Sequence, residues 1–168
     1  MMGGVRVVIW IVEGTWQGCI DAAAGLIPPD AHVAVLHHTP TDAAAAAEAA
    51  SANLLGRARF GHRPPPHMQA VAEAEATELL AAAAARLGRE NVEQIAIRGG
   101  QIEREIVAAL AQEVDLLVAA RDGDRSRLGP HSLGHVTRFV VDHAPCSVLL
   151  VWPDEAPSIG SIPPPPHH

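Results

Sequence analysis

Residues 116–138 read LLVAARDGDRSRLGPHSLGHVTR. Five apolar residues, Leu116 to Ala120, give way at Arg121 to a polar stretch carrying Gly123, Gly129 and Gly134. A helical pattern follows, marked by Val136, Phe139 and Val140 and ended near Pro145. A short apolar run bounded by turn signals fits a buried strand of about 4–8 residues. The stretch therefore reads strand, glycine loop, helix. Outward from it the pattern recurs, with further apolar runs at residues 5–12, 32–37, 92–97 and 147–152.

Helical patterns separate these runs. Thr15 is placed to cap a helix that carries Trp16, Cys19, Ile20, Ala23 and Ile27 at helical spacing, with Pro28 and Pro29 as its stop. Met68, Ala72, Leu79, Leu80, Ala83 and Leu87 form a second stripe, closed by Gly88. Ile102, Ile106, Ala109 and Leu110 mark another helix. Residues 42–55 are Ala-rich and also read as helix. Residues 57–67, between Arg57 and His67, contain three consecutive prolines and read as a locally basic loop, because proline runs cannot continue a helix.

Strands alternating with helices predict an α/β fold: an open five-stranded parallel sheet, order 3-2-1-4-5, with helices on both faces. Ligands in such sheets bind beyond the carboxyl ends of the strands, where the winding reverses. That point lies between strands 1 and 4, so the loop at residues 13–15 and the loop starting at Ala120 should face one crevice. In the second loop, residues 121–138 hold four Arg and two Asp, a balance of +2 in a chain of −7. Glycines let a ligand approach the backbone, and a helix N-terminus presents unpaired N–H groups to an anion.

Composition narrows the chemistry. All 12 Lys+Arg among the 168 residues are arginine, against 19 Asp+Glu. Without lysine there is no Walker-type phosphate loop, no kinase strand lysine and no Schiff-base nucleophile. Any phosphate must be held by backbone N–H groups, arginine or histidine. The acidic balance argues against nucleic acid as a partner. Cys19 and Cys146 do not make a secreted disulfide scaffold, and both read as packing. No apolar stretch reaches the roughly 18 residues of a membrane span, and the start of the chain lacks a signal-peptide pattern. The expectation is a cytoplasmic domain at residues 1–152 with no membrane partner, then a Pro-rich flexible tail at residues 153–168.

Four segments resemble the universal stress protein family. Val12-Glu13-Gly14-Thr15 looks like its Val-Asp-Gly-Ser after strand 1, and Leu36-His37-His38 like its Leu-His-Val at the end of strand 2. Asp115-Leu116-Leu117-Val118 leads into the glycine loop. Gly134-His135-Val136, and then His143-Ala144-Pro145-Cys146 ahead of strand 5, look like its closing helix and strand. The resemblance implies the adenine-nucleotide α-hydrolase-like Rossmann variant, a homodimer formed through strand 5 (Ser147 to Trp152), and a regulatory stress-response role without dedicated catalysis.

It also implies bound ATP or AMP, with Glu13, Thr15, His38, Ala120, Gly123, Gly134, His135 and Val136 at the site. The family's nucleotide motif is Gly, two residues, Gly, nine residues, then Gly-Ser/Thr. Here Ala120 stands at the first glycine, ten residues separate Gly123 from Gly134, and His135 replaces the hydroxyl residue. Glu13 replaces the family's Asp and His38 its Val. His135, Arg125 and Arg127 offer replacement donors to phosphate. Equally, a ring at the helix start can fill the phosphate position, which leaves open a dimeric interaction module with an altered site that binds no nucleotide.

Other constellations are weaker. His131 and His135 have metal-ligand spacing, but Gly134 starts the helix, so both do not share a helical face; no metal is required. Ser132, Asp142 and His143 follow a hydrolase order, but Pro130 stands where the nucleophile elbow needs glycine. Trp10 and Trp152 fit core or dimer surface, and Trp16 fits packing. No catalytic residue is assigned.

Overall fold

The computed structural model describes residues 3–41 and 66–166. Its strands are β1 (Arg6–Trp10), β2 (His32–Pro40), β3 (Glu93–Gly99), β4 (Leu116–Ala120) and β5 (Ser147–Val151). They form one sheet of order β3-β2-β1-β4-β5, and every pairing is parallel. This is the order predicted from the alternation of apolar runs and helices. The described helices are α1 (Trp16–Leu26), α2 (Pro66–Leu87), α3 (Ile102–Leu110) and α4 (His135–His143). The helix expected at residues 42–55 and the loop at residues 57–65 lie outside the described residues.

Alternation along the central strands divides the core in two. Val7 and Ile9 of β1, Val33 and Val35 of β2 and Val118 of β4 pack with Cys19, Ile20 and Ala23 of α1 and Leu80, Ala83 and Leu87 of α2. Val8, Trp10, Ala34, Leu36, Leu117 and Ala119 pack on the other face with Ile106 and Leu110 of α3 and Val140 of α4. A parallel sheet covered on both sides needs apolar residues at successive positions, hence the unbroken runs in β1, β2 and β4. The edge strands are less enclosed: residues of β3 alternate between exposed and half-buried, and Val148, Leu149 and Leu150 of β5 are half-buried.

Three boundaries differ from the sequence reading. β2 continues through Thr39 and Pro40, beyond the Leu36-His37-His38 read as its end. Pairing with β1 stops at Trp10 opposite Leu36, whereas pairing with β3 runs on to Pro40 opposite Gly99. α2 begins at Pro66, so Pro66 and His67 belong to the helix rather than to the loop; proline is tolerated in a first turn, where its N–H has no partner to lose. Thr15 occupies the position before α1 but makes no side-chain cap; its hydroxyl donates instead to the Val12 carbonyl at 3.5 Å.

The segment after β5 makes contacts with the rest of the fold. The Pro153 carbonyl lies against the bare Cα of Gly18 in α1. Asp154 pairs with Arg125 at 3.2 Å. Ser161 accepts a hydrogen bond from the Leu128 N–H at 2.9 Å.

Candidate functional site

β1 and β4 are neighbours, with Trp10 opposite Ala119. The loops that leave their carboxyl ends therefore start side by side at the reversal of the winding. Glu13 and Gly14 are exposed in the first loop, while Thr15 is buried. Ala120, the last residue of β4, is buried opposite Val151. The end of β2 is tied to the end of β1 by a 3.1 Å hydrogen bond between His37 Nδ1 and the Ile11 carbonyl.

The glycine loop folds back on itself. The Gly123 N–H donates to the Ser132 carbonyl at 2.9 Å and the Asp124 N–H to the His131 carbonyl at 2.8 Å. A Cβ on Gly123 would stand 2.9 Å from the Ser132 carbonyl carbon, inside contact distance, so glycine is required there by the returning strand of the loop. Gly134 needs no left-handed angle, with φ −65. A Cβ on it would meet a carboxylate oxygen of Asp122 at 2.9 Å. The Gly134 N–H donates to Asp122 Oδ1 at 2.8 Å, and the Thr137 hydroxyl to Asp122 Oδ2 at 2.8 Å. Asp122 thus covers the first turn of α4 with a negative charge, where the helix dipole and unpaired N–H groups favour one.

The arginines of this loop are engaged as well. Arg127 pairs with Asp124 at 3.1 Å and Arg125 with Asp154. Hydrogen bonds from Ser126 and the charge of Arg127 hold the Asp124 carboxyl below its ordinary range. Two of the four arginines are thus paired with carboxylates, and Asp154 adds one negative charge from outside the loop. Arg138 donates to the Pro130 carbonyl and has no carboxylate partner among the described residues; nor does Arg121. Its guanidinium donates to Ser132 Oγ at 2.6 Å and lies 4.8 Å from the centre of the Trp152 ring, and its Nε is buried without a partner.

The other candidate residues have separate surroundings. The His38 side chain is 0% exposed and makes a 2.6 Å contact through Nε2 to Glu105 of α3. It faces the α3 side of the sheet, and its Nδ1 has no partner. His135 is exposed at the start of α4 and borders a groove of about 440 Å³ with Gln101, Glu103, Arg104 and Phe139. Val136 is partly buried against the core on the α3–α4 side.

The weaker constellations dissolve. Ser132 is fully buried and donates to the Gly129 carbonyl at 2.7 Å. The His143 ring stacks on Phe139 and bonds its carbonyl at 2.7 Å, which leaves no relay between them. Among the described residues, no group of three or more His, Cys, Asp or Glu is placed to hold a metal ion, and no helix is long and apolar enough to cross a membrane. Burial raises the Cys19 thiol to about 12.

The sequence alone does not single out Asp122, Arg121 or Thr137. The only signal was an Asp directly before the second glycine, and nothing local shows that it reaches a helix start twelve residues later.

The profile of the universal stress protein family matches residues 22–151. No curated protein sequence matches the chain. Among solved structures, the chain is similar to universal stress protein UspA from Lactobacillus plantarum, at 21% identity over 88% of this chain and 97% of that one, with a TM-score of 0.55. It is also similar to a universal stress protein in complex with cAMP (17% identity, 90% and 99% of the chains, TM-score 0.59). A third is the Archaeoglobus fulgidus universal stress protein in complex with dAMP (18%, 89% and 98%, TM-score 0.55). At these identities the likeness concerns the fold.

Proposed function

The chain belongs to the universal stress protein family, and from that premise we propose that it is a non-catalytic stress-response regulator that binds an adenine nucleotide between the loops after β1 and β4. The observation that carries this reading is that two proteins of the same fold, matched over nearly their whole length, are complexes with cAMP and dAMP. Both ligands join adenosine chemistry to a single phosphate. In this chain Glu13 is exposed at the crevice and supplies an acceptor for the base or ribose. Arg121, directly after β4 and without a carboxylate partner among the described residues, supplies positive charge in the second loop. Titration calorimetry with AMP and cAMP at millimolar concentration tests the reading; absence of heat with both, and with ATP and ADP, defeats it.

A second reading has its own support. Gly123 and Asp124 spend their N–H groups on the loop's own carbonyls, and Gly134 spends its on Asp122. A site so satisfied suits an interaction module that binds no nucleotide. Both readings include a homodimer through β5, which is a sheet edge with half-buried Val148, Leu149 and Leu150. Pairing two such edges satisfies their free N–H and C=O groups. A monomer by light scattering at micromolar concentration contradicts that part.

A further inference from the structure

Asp122 is placed unlike an ordinary surface acid. Both of its oxygens are used: Oδ1 accepts from the Gly134 N–H and Oδ2 from the Thr137 hydroxyl, each at 2.8 Å. Its approach is close enough that a Cβ on Gly134 would stand 2.9 Å from Asp122 Oδ1 and one of the two would have to shift. The donors it uses, a backbone N–H at a helix start and a hydroxyl in the first turn, are the donors that would otherwise receive a phosphate oxygen. A carboxylate and a phosphate compete for such donors, and like charges a few ångströms apart in a half-buried loop repel. Arg125 and Arg127 cannot offset this, because each is paired with another carboxylate.

We infer that Asp122 is the specificity-determining residue of the crevice: it is an internal anion that occupies the phosphate position at α4 and excludes chains of two or more phosphates. The ligand class is then a nucleoside or a nucleotide with one phosphate turned towards Arg121, not ATP or ADP. The inference rests on the adenine-nucleotide reading for its ligand, but the role of Asp122 as a phosphate substitute is tested without any nucleoside.

The experiment compares the full chain with Asp122→Asn and Asp122→Ala. Asp122→Asn keeps the size and one acceptor while removing the charge; Asp122→Ala empties the position. Inorganic pyrophosphate is the first probe, read as a shift in Tm. The native chain should show no shift, and the variants should be stabilised. Calorimetry with adenosine and ATP is the second arm. The ratio of ATP affinity to adenosine affinity should rise roughly tenfold or more in both variants, the scale of one charge-assisted hydrogen bond.

A native chain stabilised by pyrophosphate as strongly as the variants overturns the inference, as does an unchanged ratio of ATP to adenosine affinity. If adenosine binds none of the three chains, the adenine reading fails, and the pyrophosphate shift still decides the role of Asp122. Should Asp122→Ala be too unstable to measure, Asp122→Asn alone settles the charge question.

Discussion

Two glycines in α1 should respond to the same substitution with opposite signs. An interior helical Gly costs about 0.5–1 kcal/mol relative to Ala. A Cβ on Gly25 meets nothing within 4 Å. Gly25→Ala should therefore stabilise the protein by up to about 1 kcal/mol, or about 2–4 °C in Tm for a chain of this size. At Gly18 a Cβ would overlap the Pro153 carbonyl and stand 2.7 Å from the Pro153 Cα. Ordinary carbon contacts lie at about 3.5–4.0 Å. Forcing a methyl into such a site costs about 1–3 kcal/mol. That exceeds the propensity gain, so Gly18→Ala should be destabilising by up to about 2 kcal/mol, or neutral if the tail gives way.

Urea unfolding followed by circular dichroism measures both variants. A chain ending at Trp152 adds the decisive comparison: with Pro153 gone, Gly18→Ala should become stabilising, like Gly25→Ala. If Gly18→Ala stabilises the full-length chain as much as Gly25→Ala does, Pro153 does not rest on α1 and the reasoning is refuted.

Two further outcomes follow from the core. Glu105→Ala removes the partner of His38 Nε2, within a side chain that has no exposure and already carries an unpartnered Nδ1. Leaving such a group unsatisfied costs about 1–3 kcal/mol, measurable as a lower urea midpoint; an unchanged midpoint contradicts the pairing. Cys19 is fully buried and its thiol is raised to about 12, so a thiol-reactive dye at pH 8 should leave it unmodified until urea unfolds the chain. Mass spectrometry of the native protein that finds Cys19 labelled as fast as in urea would overturn its placement.

The sheet was legible because its signal is local and repeated. Val7, Val8 and Ile9, or Leu117 and Val118, are apolar in succession for the plain reason that helices cover both faces. The last two residues of β2 were not legible, since Thr39 and Pro40 stay in a strand through pairing with β3, 59 residues away. The same limit governs the crevice. The glycines at 123 and 134 suggest a ligand's approach, yet in the fold Gly123 yields to the returning loop and Gly134 to Asp122. Counting Arg125 and Arg127 gave a positive loop. Their pairing with Asp154 and Asp124 is a matter of where the chain passes after β5 and how the loop turns. Lysine's absence narrows the candidates: with those arginines paired, Arg121, directly after β4, and Arg138 of α4 are the loop cations without a carboxylate partner among the described residues.

The proposed nucleotide site lies between the loops after β1 and β4. A titration of nitrogen-15-labelled protein with AMP, followed by amide chemical shifts, addresses it most directly. Saturable shifts concentrated at residues 12–15 and 120–136, and little change at the amino ends of the strands near Arg6 and Asp115, are predicted. Shifts centred anywhere else, or none at millimolar AMP, contradict it.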